Sequence, residues 1–257
     1  MSSTQLFYGS SAAMSAVADC EANLIIACPP YFPDSIEPVL RSGKISNDNI
    51  ERIDAAIRSF AYDQRPVFEE CFRVLATDGT MVVQTRDVRL SHRLVGVESI
   101  HRALIESVGF VLVSRHIWRP EFTTKKRRYK QSSDKAHGKP HPLDSESFLV
   151  FQHVDTLGKS HPTESDIEVL ERDIIVSHKG SLSNSHRFQA PIPFIEVMIR
   201  TFTDESDLVL DPYAGGGTTL SVALSMKRRA IGYEIDAKTY EAALRNLPQR
   251  YKNTYDD

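Results

Sequence analysis

Asp207-Leu-Val-Leu-Asp211-Pro212-Tyr213-Ala214-Gly215-Gly216-Gly217-Thr218-Thr219-Leu220 is the stretch that decides the fold. A short apolar run enters three consecutive glycines and leaves into a helical pattern, which reads as a strand, a tight turn and a helix. Glycine at such a junction permits positive φ and lets a ligand approach backbone that a Cβ would shield. The helix behind it presents N-terminal N–H groups to a carboxylate or a phosphate. Roughly 20 residues after the turn begins, Arg229-Ala-Ile-Gly-Tyr233-Glu234 reads as the next strand. An acid at the end of that strand can accept both hydroxyls of a ribose. The spacing is not the dinucleotide GxGxxG, and no lysine follows the last glycine as a phosphate-binding loop requires. An adenosine-containing cofactor without a phosphate chain fits better. A merely flexible turn is the competing reading, and Asp211 before the glycines with Glu234 after them weighs against it.

The second signal lies near the N-terminus, in Asn23-Leu-Ile-Ile-Ala27-Cys28-Pro29-Pro30-Tyr31-Phe32. Here an apolar strand stops at two prolines, which can continue neither a ladder nor a helix and so hold a stiff, extended turn. Stiffness suits a backbone carbonyl that must aim at a substrate. The aromatic ring that follows can stack on a planar base, worth about 1–3 kcal/mol. Taken alone, Pro-Pro-Tyr is equally at home in an ordinary loop.

Outward from these two turns, short apolar runs alternate with helical patterns, as in parallel strands joined by crossover helices. The expected strands are Leu24 to Ala27, Met81 to Gln84, Phe110 to Ser114, Ser147 to Phe151, Asp207 to Leu210 and Ala230 to Tyr233. The expected helices are Asn47 to Ala61, Arg65 to Leu75, Leu94 to Val108, Pro191 to Phe202, Thr218 to Ser225 and Ala237 to Leu247. The stretch His153 to Ser185 has little periodicity and reads as partly loop. This is one α/β domain over residues 1–257 with an irregular insert.

The 257 residues are 41% hydrophobic and 25% charged, a composition that excludes collagen, coiled coil, a disordered tail and a disulfide scaffold. Cys20, Cys28 and Cys71 form no CxxC pair, so a reducing cytoplasm is the expected setting. The first residues lack the pattern of a secretory signal, and no stretch approaches the roughly 20 apolar residues of a membrane span. His137 and His141 alone have HxxxH spacing, but Gly138 and Pro140 oppose the helix that would pair them. No metal is expected. The net charge of −3 hides an asymmetry: Arg115 to His141 holds nine Lys or Arg against two acids, a net of +7, so the remainder carries −10. Trp118, Phe122 and Tyr129 are interleaved there. A basic, aromatic segment in an otherwise acidic protein points to phosphate contact, with Arg119, Lys125, Lys126, Arg127, Arg128 and Lys130 as the contacting cations. Such contacts supply position and affinity without naming a sequence.

The two turns together resemble those of the S-adenosylmethionine-dependent amino-methyltransferases of DNA. That family's catalytic turn reads (Asp, Asn or Ser)-Pro-Pro-(Tyr, Phe or Trp), and its cofactor turn reads Asp-Pro-Phe-x-Gly-x-Gly-Thr-Thr. The order is similar to the circularly permuted β-group, with the catalytic turn early and the glycine turn late. Asn184 to Phe194 is similar to the segment that closes over the methionine end of the cofactor. The resemblance spans Gly9 to about Leu247. It implies a Rossmann-like methyltransferase fold, a mostly parallel sheet with helices on both faces, and S-adenosyl-L-methionine as cofactor. It further implies that Asp211, Pro212, Tyr213, Ala214, Gly215, Gly217, Thr218, Thr219 and Glu234 hold that cofactor together with His186 and Phe188.

By the same resemblance, the Pro29 carbonyl and the residue-28 side chain accept hydrogen bonds from an exocyclic amine, turning its lone pair toward the sulfonium methyl. The base is flipped from the duplex and Tyr31 is its stacking face. Cys28, Pro29, Pro30 and Tyr31 are therefore the expected catalytic residues. Cys28 departs from the pattern, since a thiol is a weak acceptor. It is sterically nearest Ser, which in this family goes mostly with cytosine N4, so cytosine N4 is the first expectation and adenine N6 the alternative. A cytosine-C5 nucleophile is disfavoured because Ala27, and not Pro, precedes Cys28. Methylation of RNA, or a silent nucleic-acid-binding subunit, stays open. DNA is the expected partner, with a homodimer or a restriction or defence subunit beside it, in a bacterial, archaeal or phage cytoplasm. The insert of about 115–145 would contact DNA, and the region of about 153–185 would recognise the target.

Overall fold

Leu24 and Ile26 point to one side of their strand and Ile25 and Ala27 to the other, and all four are buried. A strand buried on both faces needs helices on both. The computed structural model describes residues 3–42, 47–90, 93–120, 145–154, 160–171, 174–177 and 191–247. Its strands are β1 (Thr4–Tyr8), β2 (Ala22–Ala27), β3 (Leu75–Thr85), β4 (Val88–Leu90), β5 (Arg93–Val95), β6 (Phe110–Pro120), β7 (Glu146–His153), β8 (Ile174–Ser177), β9 (Leu208–Asp211) and β10 (Arg229–Glu234). Its helices are α1 (Glu37–Ser42), α2 (Asn47–Tyr62), α3 (Arg65–Val74), α4 (Val97–Val108), α5 (Glu164–Leu170), α6 (Ile192–Phe202), α7 (Thr218–Ser225) and α8 (Ala237–Asn246).

Eight strands form one sheet in the order β1-β10-β9-β2-β3-β7-β6-β8, while β4 and β5 pair separately. Every neighbour in the large sheet is parallel except for β7, which runs antiparallel to both β3 and β6. The middle of the sheet positions the site. β9 and β2 lie side by side, with Leu24 opposite Val209 and Ile25 opposite Leu210. From β9 the chain crosses to β10 on one side, and from β2 to β3 on the other. A crevice opens outside the carboxyl ends of two strands that part in this way.

One face of the sheet packs Leu24, Ile26, Val82 and Val209 against Phe194, Met198, Leu220 and Ala243 of α6, α7 and α8. The other packs Ile25, Met81, Val83 and Leu210 against Phe68, Cys71, Leu104 and Ile105 of α3 and α4. A third cluster joins Tyr31 and Ile36 to Ile53 and Ile57 of α2 and to Val88, Leu90 and Val95 of the β4–β5 ribbon. No described helix is long and apolar enough to cross a membrane.

The expected parallel sheet with helices on both faces is what the chain forms, with several differences of detail. Leu94 and Val95, read as the start of a helix, belong to β5, and α4 starts only after Gly96. Leu75, read as helical, opens β3. β1 pairs with β10 at the sheet edge and was not expected. The stretch 153–185, read as partly loop, contains α5 and β8. Thr163 and Asp166 start α5 through a capping box, and Arg200 reaches the buried Asp166 carboxylate at 2.8 Å.

Candidate active site

The turns that follow β1, β2, β9 and β10 all leave the same edge of the sheet and enclose a cleft of about 650 Å³, within the usual range for a small-molecule site. Its lining includes Cys28, Pro29, Pro30 and Tyr31 from one expected motif, and Asp211, Pro212, Tyr213, Ala214, Gly215, Thr218, Thr219 and Glu234 from the other. Residues 180 positions apart in the chain thus meet around one space because their strands are neighbours.

The glycine turn takes its shape from two residues with left-handed backbone, Gly215 at φ +52° and Gly217 at φ +79°. Gly217 is the N-cap of α7, and its N–H bonds back to the Ala214 carbonyl at 2.8 Å. Glu234, at the end of β10, accepts the Gly215 N–H at 2.9 Å through Oε2 and the Asp236 N–H at 2.8 Å through Oε1. Both carboxylate oxygens are thereby oriented, and each keeps a lone pair for a ligand hydroxyl. Gly232 lets β10 pass close to the turn: a Cβ there would stand 2.9 Å from Ala214 Cβ and 2.9 Å from Leu220 Cδ1. Asp211 is buried beneath the turn, accepting the Tyr213 N–H at 3.0 Å. Burial pushes its carboxyl up to about 7, with the Glu234 charge adding and the Thr219 hydroxyl and Tyr213 N–H opposing. An oriented carboxylate for ribose hydroxyls, a buried acid beside it and a helix N-terminus form a donor and acceptor set that fits a nucleoside carrying an amino-acid tail.

On the other wall, Cys28 Sγ lies 3.9 Å from the Tyr31 hydroxyl. The Pro30 carbonyl accepts the Gln64 side-chain N–H at 3.0 Å. The Pro29 carbonyl takes no hydrogen bond from any described residue. Tyr31 is only 3% exposed, and Arg86 stands 5.5 Å from its ring centroid in a cation–π contact. Arg86 in turn lies 3.9 Å from Glu146 at the start of β7, and Glu146 also accepts a hydrogen bond from the buried Gln84 side chain. This polar chain braces one side of the ring.

Sequence reasoning missed Gln64, Arg86 and Glu146. The available signal for the last two was a charged residue abutting a strongly apolar strand. For Gln64 it was an amide at the helix boundary, where Ser, Thr, Asp or Asn is usual. Of the expected cofactor residues, His186 and Phe188 lie outside the described residues. So do Lys125, Lys126, Arg127, Arg128 and Lys130, while Arg119 is described only as backbone of β6. β6 ends at Pro120 and β7 begins at Glu146. Because β6 runs parallel to β8 and antiparallel to β7, the basic segment departs from and returns to the sheet edge that carries the cleft.

Comparison with known proteins agrees with this geometry. The chain is 27% identical over 267 residues to the Type II methyltransferase M.MjaI of Methanocaldococcus jannaschii, covering 90% of this chain and 87% of that one. Its fold is similar to that of the PvuII DNA methyltransferase (cytosine-N4-specific), with a TM-score of 0.70, 16% identity, and 100% of this chain and 89% of that one covered. It is similar also to M1.HpyAVI in complex with S-adenosylmethionine, with a TM-score of 0.59, 19% identity, and coverage of 95% and 98%. The N6/N4 DNA methylase family model matches residues 22–245, and the chain belongs to that family of DNA methylases.

Proposed function

We propose that the protein transfers a methyl group from S-adenosylmethionine to the exocyclic amine of a base flipped from DNA, and that the amine is cytosine N4. The observation that carries the choice of base is Cys28, a side chain of serine size at the head of the Pro-Pro turn and on the wall of the cleft.

When bound, the cofactor supplies a sulfonium methyl as the electrophile. Glu234 holds the ribose hydroxyls, fixed for that task by the N–H groups of Gly215 and Asp236. Ala214 to Thr218 present the backbone that meets the carboxylate of the methionine end. An exocyclic amine is a poor nucleophile because its lone pair is delocalised into the ring. The Pro29 carbonyl and Cys28 Sγ accept hydrogen bonds from its two N–H groups and draw the nitrogen toward tetrahedral geometry. That is catalysis by orientation and preorganised dipoles, with no covalent bond to the enzyme. Pro29 suits the task because its carbonyl is uncommitted and its backbone is stiff.

We further assign the chain to the permuted arrangement of the family, supported by β2 and its catalytic turn preceding β9 and its glycine turn. The basic segment of about 115–145, rooted at the cleft edge, contacts DNA phosphates through Arg119, Lys125, Lys126, Arg127, Arg128 and Lys130. The region of about 153–185 contributes to target choice, and His186 with Phe188 covers the methionine end of the cofactor. The test is expression of the chain in a host whose DNA lacks methylated amines, followed by mass spectrometry of its nucleosides. N4-methylcytosine supports the reading, N6-methyladenine moves it to the alternative base, and neither product overturns it.

A further inference from the structure

Tyr213 stands where the family's cofactor turn carries Phe, and its hydroxyl is engaged. It meets Gln64 Oε1 at 2.9 Å, while Gln64 Nε2 donates to the Pro30 carbonyl at 3.0 Å. A carbonyl can only accept, so the amide nitrogen must face Pro30; the amide oxygen then faces Tyr213, whose hydroxyl donates. The amide is 7% exposed, and its backbone is held at the start of α3, where the Gln64 carbonyl accepts the Val67 N–H at 3.0 Å. One rigidly mounted side chain therefore ties the turn after β9 to the turn after β2, across 149 residues of sequence on one side and 34 on the other.

We propose that Gln64 is a positioning residue for methyl transfer and that Tyr213, with it, locks the cofactor turn and the catalytic turn in one register. Tying down the Pro30 carbonyl fixes the rotation of the Pro29-Pro30-Tyr31 segment and leaves the Pro29 carbonyl as the acceptor directed at the target amine. A Phe at 213 cannot replace the link, because it strands the buried amide oxygen without a donor. The inference rests on the family's amino-methyl transfer and not on which base receives the methyl.

The test uses the full chain as wild type, Tyr213→Phe, Gln64→Leu and the double variant. Amide hydrogen exchange at Tyr31 and Phe32 is read without DNA. Single-turnover methyl transfer to unmodified genomic DNA at saturating cofactor is read as total methyl, whichever base carries it, and the cofactor Kd is measured separately. Each single variant should speed exchange at Tyr31 and Phe32 and slow transfer about tenfold, with Kd changed by less than about threefold. The double variant should be no slower than Gln64→Leu, because both substitutions break one link. Wild-type exchange and rate in both single variants would overturn the proposal. So would losses that multiply in the double variant, or a Kd that weakens in step with the rate. Should Gln64→Leu fail to fold, Tyr213→Phe decides alone; should the wild type transfer no methyl, exchange decides. Methyl found on adenine would change the proposed base and leave this result standing.

Discussion

Raising the pH through about 7 should tighten cofactor binding, and Asp211 is the reason. Its carboxyl is buried under the glycine turn and pushed from an ordinary 3.8 up to about 7, chiefly by burial, with the Glu234 charge adding. That displacement corresponds to about 4 kcal/mol of preference for the neutral acid in the folded protein. The free protein therefore keeps the full benefit of this group below about pH 4 and loses it as the pH rises through about 7, where a bare carboxylate must be buried. A sulfonium and an ammonium bound nearby reverse the preference, so below about pH 7 binding expels a proton. If only the ionised form binds, Kd weakens roughly 30-fold from about pH 8 to about pH 5.5. Titration calorimetry of S-adenosylmethionine across that range measures the slope, and repeating it in buffers of different ionisation enthalpy counts the proton. Asp34, Glu37, Asp63, Glu234 and Asp236 also line the cleft, so the control is Asp211→Asn, in which the slope should vanish. A Kd that is flat in the wild type, or a slope that survives in Asp211→Asn, would refute the reasoning.

Other substitutions probe separate parts of the molecule. Gly232→Ala drives a methyl group into Ala214 and Leu220 and should cost about 1–3 kcal/mol in urea unfolding, more than a typical Gly→Ala change in a strand. Arg86→Met removes the cation beneath Tyr31 and leaves Glu146 with its Gln84 contact, so it should lower stability by about 1 kcal/mol and slow transfer with little change in cofactor Kd. Cys28→Ser should keep activity within about tenfold of wild type in the labelled-methyl assay, since a hydroxyl accepts at least as well as a thiol; complete loss would indicate thiol chemistry. Reversing Lys125, Lys126, Arg127 and Arg128 to Glu should weaken DNA binding by at least about 100-fold and flatten its salt dependence, with the melting temperature unchanged.

What could be read from the sequence was what leaves a local trace. Three glycines, two of which adopt positive φ, and a pair of adjacent prolines mark their turns by residue type alone. Inner strands such as Leu24 to Ala27 are buried on both faces and so appear as unbroken apolar runs. The edge strand Thr4–Tyr8 is half exposed and only five residues long, which makes it indistinguishable from a loop. Leu94 and Val95 read as helix because the strand character of Arg93–Val95 comes from pairing with Val88–Leu90, beyond the reach of periodicity. Gln64 carries only a weak local mark, an amide at the start of α3; its place in the site exists because β2 and β9 are neighbours. The same neighbourhood turned two motifs, each ambiguous alone, into one cleft.

The task proposed for this cleft is delivery of a methyl group to an amine on DNA. The most direct measurement is a single turnover of purified protein with methyl-labelled S-adenosylmethionine and unmodified DNA, digested to nucleosides and resolved by mass spectrometry. Label is expected on an exocyclic nitrogen, as N4-methylcytosine, with no protein–DNA adduct. Label on cytosine C5, on RNA alone, or on no nucleic acid would contradict it.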